Sequence, residues 1–309
     1  MVDEEPNYFD HLLPEVGEVA LCCAKDRLKY LNTEHWIGYP KATLALEKLD
    51  ALFVYPQRAR MPNLLLVGAT NNGKTMILEK FCRKYQMLLE AYGKAEFGDS
   101  ELPILSLQMP SNPDIRRFYA AIYYSLGIPL RSGHMRAAEL EAEVLRYLKM
   151  VKVKILIIDE IHNLLAGRSD NQREFLNVLR YLGNELRIPI VCAGTRDAYL
   201  ALRSDPQLEN RFEPFLLPIW RSGGEYESLL ASFAKLMPLR KPSELSRPNI
   251  AGRILARSEG VLGEISTILR RAAQRAIKEG EERITEKTLE GLDYASPSER
   301  AKVFERELV

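Results

Sequence analysis

At 309 residues the chain has room for about two domains and can bury a core without disulfide or metal staples. Its 46% apolar and 28% charged residues are those of a soluble globular protein. Lys and Arg (43) balance Asp and Glu (42), which excludes a protein held to nucleic acid by bulk charge and leaves a local basic patch open. The cysteines, Cys22, Cys23, Cys82 and Cys192, form no C-x-x-C and read as free thiols of a reducing compartment. The acidic amino terminus lacks the basic and apolar regions of a secretory signal. No apolar run approaches the ~18 residues of a membrane span, so a cytoplasmic protein without a membrane partner is expected.

Taken in order, residues 1–20 carry Asp3, Glu4, Glu5, Asp10, Glu15 and Glu18 and no Lys or Arg, which reads as a solvated tail. The rival reading is a partner-docking arm anchored by Phe9, Leu12 and Leu13. Residues 41–54 place Leu44, Leu46, Leu49, Leu52 and Phe53 at helical spacing. Short apolar runs then follow at 64–67, 103–109, 154–158 and 188–193, with a less regular fifth at 212–219, and helical stretches lie between them. Alternation of this kind predicts an α/β fold with a parallel sheet covered on both faces. Beyond Trp220 the strand-like runs stop, and 223–236, 249–259, 262–280 and 285–292 read as a small all-helical second domain. The expected division is a 1–40 arm, a 41–220 α/β domain, a 221–295 helical domain and a 296–309 tail.

The segment Gly68-Ala69-Thr70-Asn71-Asn72-Gly73-Lys74-Thr75 fits G-x-x-x-x-G-K-[ST], with an apolar strand before it and a helix after it. Such a loop curls so that backbone N–H groups face phosphate oxygens, and the following helix, from Met76 onward, adds its N-terminal dipole. Lys74 offers a charge to the outer phosphates and Thr75 a hydroxyl to Mg²⁺. A P-loop also needs a carboxylate at the tip of another strand, and Ile155-Leu156-Ile157-Ile158-Asp159-Glu160 supplies two. Asp159 is the expected Mg²⁺ holder and Glu160 the general base for the attacking water. His162 completes a helicase-like D-E-x-H, but a second RecA-like domain is lacking, so a packed or capping histidine is expected.

The run at 188–193 ends in Gly194-Thr195, and Thr195 is a candidate γ-phosphate sensor or a helix N-cap. Arg211, in Leu208-Glu209-Asn210-Arg211-Phe212, suits an arginine finger acting on a neighbouring subunit; the bland alternative is a salt bridge to Glu209 or Glu213.

The order of these motifs resembles an AAA+ ATPase, a P-loop NTPase with a five-stranded parallel sheet core and a helical lid. Longer phrases narrow the resemblance to TniB, a bacterial transposition ATPase family related to TnsC and MuB. They are Trp36-Ile37-Gly38-Tyr39-Pro40-Lys41-Ala42, Arg60-Met61-Pro62-Asn63 leading into the P-loop, Leu182-Gly183-Asn184-Glu185-Leu186, Ala193-Gly194-Thr195-Arg196-Asp197-Ala198-Tyr199 and Gln207 to Pro214. The resemblance implies ATP and Mg²⁺ as cofactors and slow, DNA-stimulated hydrolysis. It implies a homo-oligomeric ring or helical filament on double-stranded DNA that selects the target and activates a TniA-like DDE transposase beside a TniQ-like adaptor. It carries phosphate and Mg²⁺ binding onto Lys74 and Thr75, the acid pair onto Asp159 and Glu160, the first sensor onto Thr195 and the trans finger onto Arg211. Trp36, Ile37 and Tyr39 are expected at the adenine end. One departure is Glu264, which stands about where many AAA+ proteins carry a second-sensor Arg; Arg253, Arg257, Arg270 or Arg271 would have to substitute.

DNA contacts are expected from Arg116, Arg117, Arg131 and Arg136, which follow the second strand, with Lys149, Lys152 and Lys154 as a lower-ranked patch. A solvated helix face is the competing reading. Tyr119, Tyr123 and Tyr124 are expected in the core. Two other functional readings remain open, a helicase loader of the AAA+ class and a nucleotide-gated scaffold with negligible turnover.

Overall fold

A computed structural model describes residues 9–96, 101–111, 114–128, 135–166, 169–203 and 205–307. The chain forms two compact units, one of residues 41–218 and one that joins 1–40 to 219–309.

The discontinuous unit begins with two short helices, α1 (Pro14–Leu21) and α2 (Ala24–Leu31). Proline at the first position of α1 suits a helix start, because its missing N–H is one the helix leaves unpaired there. Leu12, Val16 and Ala20 are buried, with Phe9, Leu13, Tyr30 and Leu236 packed around them. The solvated-tail reading is thus corrected for residues 9–20: the acids face outward, and the apolar positions between them make a helical stripe that acidic composition obscured.

The continuous unit opens with α3 (Pro40–Phe53), whose buried face is Ala42, Ala45, Leu49 and Phe53. Leu44 points outward, so two small alanines rather than all the leucines define that face. Next come β1 (Asn63–Val67), α4 (Lys74–Glu96), β2 (Ile104–Gln108), α5 (Ile115–Ser125), α6 (Ala137–Met150) and β3 (Ile155–Asp159). A 3₁₀ turn (Ile161–Ala166), α7 (Ser169–Leu186), β4 (Ile190–Gly194), α8 (Arg196–Arg203), α9 (Pro206–Glu209) and β5 (Phe212–Leu216) complete it. The five strands lie in the order β2-β3-β4-β1-β5, all parallel. Every residue of the three central strands is buried, which is why their sequences are unbroken apolar runs, whereas edge strands β2 and β5 mix buried and exposed positions. Phe118 and Phe175 meet edge-on at 4.8 Å within this core. Tyr119 and Tyr123 are buried as expected, their hydroxyls donating to Glu141 and Glu143, while Tyr124 is exposed. Lys149 and Lys152 are paired with Glu185 and Glu101, and Lys154 lies over the Phe53 ring.

The discontinuous unit resumes with α10 (Gly224–Leu236), α11 (Pro248–Ser258), α12 (Leu262–Lys278), α13 (Glu286–Glu290) and α14 (Pro297–Glu307). Arg27 of α2 is 2% exposed and grips Glu282 with both terminal nitrogens, at 2.6 and 2.7 Å, while also donating to Pro238 O. After α11 the backbone turns left-handed at Glu259 (φ 52°) and Gly260 (φ 74°). A Cβ at Gly260 would stand 2.3 Å from Trp220 O, so glycine is required there. The C-terminal segment is the helix α14, tied back through Ser298 N–H to Glu259 and Arg300 to Glu264. Among the described residues, no helix is long and apolar enough to cross a membrane, no group of acidic, His and Cys side chains forms a metal cluster, and all four cysteines are unpaired.

Candidate nucleotide site

The P-loop leaves the carboxyl end of β1 between two neighbours. Gly68 N–H donates to Gly194 O of β4 at 3.1 Å, and Leu217 N–H, just after β5, donates to Val67 O at 2.8 Å. A Cβ on Gly68 would press on Leu217 Cβ at 3.3 Å. Asn71 (φ 60°) and Gly73 (φ 83°) are left-handed, and the two reversals curl Ala69 to Gly73 into a concave loop. Asn72 is buried and anchors the loop by donating from Nδ2 to Pro218 O at 2.8 Å. Lys74 and Thr75 then open α4, so its N-terminal dipole faces the concavity.

Lys74 is 5% exposed, and its ammonium is held by Gly68 O (3.1 Å) and Ala69 O (2.8 Å). Burial lowers its pKa, and the charges of Glu160 and then Asp159 oppose that shift. Both carboxylates are therefore near enough for their charges to act on the lysine. Thr75 Oγ1 donates to Asp159 Oδ2 at 2.6 Å, and Asp159 Oδ1 accepts the Glu160 N–H at 2.7 Å. Glu160 itself is left-handed (φ 54°), a turn that carries its side chain off the strand axis. Its carboxylate meets His162 Nε2 at 3.0 Å. The expectation of a packed or capping His162 is thus corrected: the ring pairs with the second acid.

β4 lies between β1 and β3, with Val67 paired to Gly194, so Thr195 emerges beside Gly68 on the same edge as the acid pair. Gly194 is needed for this close approach, because a Cβ there would lie 2.8 Å from both Ala198 Cβ and Ile161 Cγ2. The Thr195 carbonyl accepts from Tyr199 N–H at the start of α8.

These residues fit a triphosphate and its cation. The loop concavity is lined by backbone rather than side chains, a buried ammonium has only carbonyl partners, and a hydroxyl and a carboxylate stand in contact as two hard oxygen donors. Lys74 and the loop N–H groups would hold phosphate, and Thr75 and Asp159 would hold Mg²⁺.

Arg211 sits at the opposite end of the sheet, immediately before β5, where Asn63 pairs with Phe212. A strand of this length separates the two ends by roughly 16 Å. Arg211 Nη1 donates to Asn184 Oδ1 at 2.8 Å. The salt-bridge alternative is not what the structure has: Glu209 is taken by Arg203 at 2.8 Å and Glu213 by Lys48 at 2.6 Å. Arg211 opens on a cavity of about 860 Å³ whose lining includes Tyr55, Arg60, Gln207 and Asn210. Its pKa is lowered by burial and then by the charges of Arg60 and Arg180. Arg180 is itself held by two side-chain amides, Gln207 and Asn177. Asn184 and Arg60 were not singled out from sequence, although both lie inside the family phrases quoted above.

Trp36, Ile37 and Tyr39 belong to the discontinuous unit, where Tyr39 is buried edge-on to Trp220 at 5.2 Å. Arg116 and Arg117 are exposed on the first turn of α5, Arg117 Nε lying 3.4 Å from Asp114, whose side chain also caps that helix. Arg136 is exposed ahead of α6; Arg131 lies outside the described residues. Glu264 is bound by Arg300 (2.8 Å) and Tyr294. Of the possible substitutes, Arg253 pairs with Glu286 and Glu290, Arg257 donates to three carbonyls, and Arg271 donates to Asp293 O.

The fold recurs in solved structures. The Aeropyrum pernix ORC1 protein, solved in complex with DNA, superposes with a TM-score of 0.61 at 18% identity, covering 89% of this chain and 69% of that one. The ORC2 protein of the same organism, in ADPNP–ADP complexes, gives 0.59 at 16%, with 84% and 69% covered. Cdc6p of Pyrobaculum aerophilum gives 0.56 at 18%, with 83% and 67% covered. At these identities the likeness establishes the AAA+ fold: a parallel five-stranded P-loop core with a helical C-terminal region. No curated protein matches the sequence. The model of the bacterial TniB proteins does match, over residues 27–222, well over half of the chain and the whole stretch from α2 past β5, and the chain therefore belongs to the TniB family, transposition-associated ATPases of AAA+ fold.

Proposed function

We propose that this chain is a Mg²⁺-dependent ATPase that assembles head to tail on double-stranded DNA, selects a transposition target there and activates a DDE transposase, with a TniQ-like adaptor as a further partner. The observation that carries the reading is the placement of complementary parts at opposite ends of one sheet. Lys74, Thr75, Asp159 and Glu160 converge at the carboxyl end, and Arg211 stands at the amino end, about a strand length away. Arg211 cannot serve its own P-loop. It can serve that of a second copy, and repetition of such a heterologous contact builds a ring or a filament.

In this reading Lys74 and the loop amides bind the phosphates, and Thr75 and Asp159 would hold a Mg²⁺ whose charge would offset that on them. Glu160 takes the proton of the attacking water while the bond to the leaving diphosphate breaks. Thr195 orients groups at the γ-phosphate, and the neighbour's Arg211, released from Asn184, adds its charge to the transition state. Arg116, Arg117, Arg131 and Arg136 supply a few backbone contacts per subunit, and assembly multiplies them.

Electron microscopy of the pure protein on duplex DNA tests the proposal. Rings or filaments with ATP or a non-hydrolysable analogue that dissolve with ADP are expected. Monomers under all three conditions would remove the trans finger and the filament together. One observation favours a second reading, a nucleotide-gated scaffold with negligible turnover. Glu264 and three of its four candidate Arg substitutes are committed to contacts inside their own unit. Phosphate release with and without DNA separates the two.

A further inference from the structure

The D-E-x-H histidine has no part in the function just described, and its surroundings assign it one. His162 Nε2 stands 3.0 Å from Glu160 Oε2, at the start of the 3₁₀ turn that follows β3. The other ring nitrogen, Nδ1, is buried and without a hydrogen-bond partner among the described residues. That asymmetry makes Nε2 the ring nitrogen that serves the carboxylate. An imidazole with its hydrogen on Nε2 donates to the carboxylate and leaves Nδ1 a bare lone pair.

The turn that carries His162 is held on two sides. Gly194 lets the turn close onto β4, the His162 backbone N lying 3.5 Å from where a Gly194 Cβ would be. The next residue, Asn163, clips the turn to the end of β2 by donating from Nδ2 to Met109 O at 3.0 Å. Glu160 has a left-handed backbone (φ 54°) just past the extended strand that carries Asp159. Paired with His162, the Glu160 carboxylate still acts by its charge on the Lys74 ammonium.

We propose that His162 is a positioning residue for Glu160: its Nε2–H holds the carboxylate at the site, where it can accept a proton from water. The inference rests on the general-base reading of Glu160. It predicts that the group required at position 162 is an N–H donor at the reach of Nε2, whatever its ring or charge.

The test uses the full-length chain with His162→Leu, of similar bulk but without a donor, and His162→Gln, whose amide nitrogen reaches about as far as Nε2. His162→Leu is expected to lower kcat by about tenfold to a hundredfold, a misplaced general base losing much of its effect. Affinity for a non-hydrolysable ATP analogue and the thermal midpoint should stay at wild-type values. His162→Gln is expected to recover most of kcat. In a Glu160→Gln background, His162→Leu should change nothing further. Wild-type or higher kcat in His162→Leu, with Glu160→Gln inactive, would overturn the inference and leave the base assignment standing. Equal losses in the Leu and Gln variants, with weaker analogue binding or a lower midpoint, would assign His162 to packing and overturn it as well. Full turnover in Glu160→Gln alone would instead remove the base reading, and this inference with it.

Discussion

Replacing Arg27 by Met removes one half of the ion pair that joins α2 to the turn after α12. Arg27 and Glu282 have side chains 3% and 14% exposed. Breaking a buried pair from one side costs about 3–5 kcal/mol, mostly through the charge left behind. Glu282 keeps some access to water and an N–H from Arg240 at 3.3 Å, which places the loss at the low end, about 3 kcal/mol. In a unit of this size that loss lowers the melting midpoint by roughly 10 °C. Scanning calorimetry of the full chain should show it in the transition of the discontinuous unit. The pH dependence has a fixed sign. The Arg27 hydrogen bonds, then the Arg240 N–H, hold the Glu282 carboxyl below its ordinary range. A depressed carboxyl stabilises fully above its unfolded value, near about 4.3, and loses that contribution as pH falls through the folded value. The gap between wild type and variant should therefore narrow on acidification below about pH 4. Replacing both partners by apolar residues should recover much of the loss. A variant melting within about 2 °C of wild type at neutral pH, or a gap that stays constant in acid, would refute this account.

The remaining predictions concern the nucleotide site. Lys74→Ala should abolish nucleotide binding, read with a fluorescent ATP analogue. Glu160→Gln should retain that binding and DNA assembly while lowering kcat by about 10²–10⁴-fold; equal loss of assembly in both variants would contradict a general base. Arg211→Ala should lower turnover by about 10³-fold or more without changing monomer stability. Mixing it with Glu160→Gln should restore some phosphate release, because a competent site then meets a competent finger; no restoration in mixed assemblies would place Arg211 outside the neighbour's site. Gly194→Ala should destabilise the sheet unit by about 1–3 kcal/mol in a denaturant titration, since its Cβ meets two side chains at 2.8 Å. A wild-type midpoint would show that Ile161 and Ala198 relax freely.

The parallel sheet was legible because burial on both faces forces unbroken apolar runs, as in Leu64 to Val67 and Ile155 to Ile158. The P-loop and acid pair were legible because their chemistry fixes both residue types and neighbours; Thr75 and Asp159 of the two motifs are in hydrogen-bond contact. What escaped depends on contacts distant in sequence. Helices α1 and α2 are eight residues each, α1 carries only acids as its charges, and Leu236 and Glu282 complete their surroundings. Arg211 has bonding partners within reach in sequence, Glu209 and Glu213, but those are claimed by Arg203 and Lys48, which spacing does not reveal. His162 has an ordinary motif context, and its role rests on a left-handed Glu160 that local sequence does not encode.

The discontinuous unit has a consequence for biosynthesis. Its amino-terminal piece emerges from the ribosome first and must wait while all of 41–218 is made. The continuous unit has its strands and helices complete by then and can fold on its own schedule. Arg27 and Glu282 stand 255 positions apart, so their pairing closes nearly the longest loop in the molecule and belongs among the last events of folding. Until then Leu12, with Val16 and Ala20 of α1, stays exposed. A chain halted shortly after β5 would hold an assembled P-loop beside an apolar segment with no partner, a species that chaperones would be expected to retain and proteases to trim from its amino end.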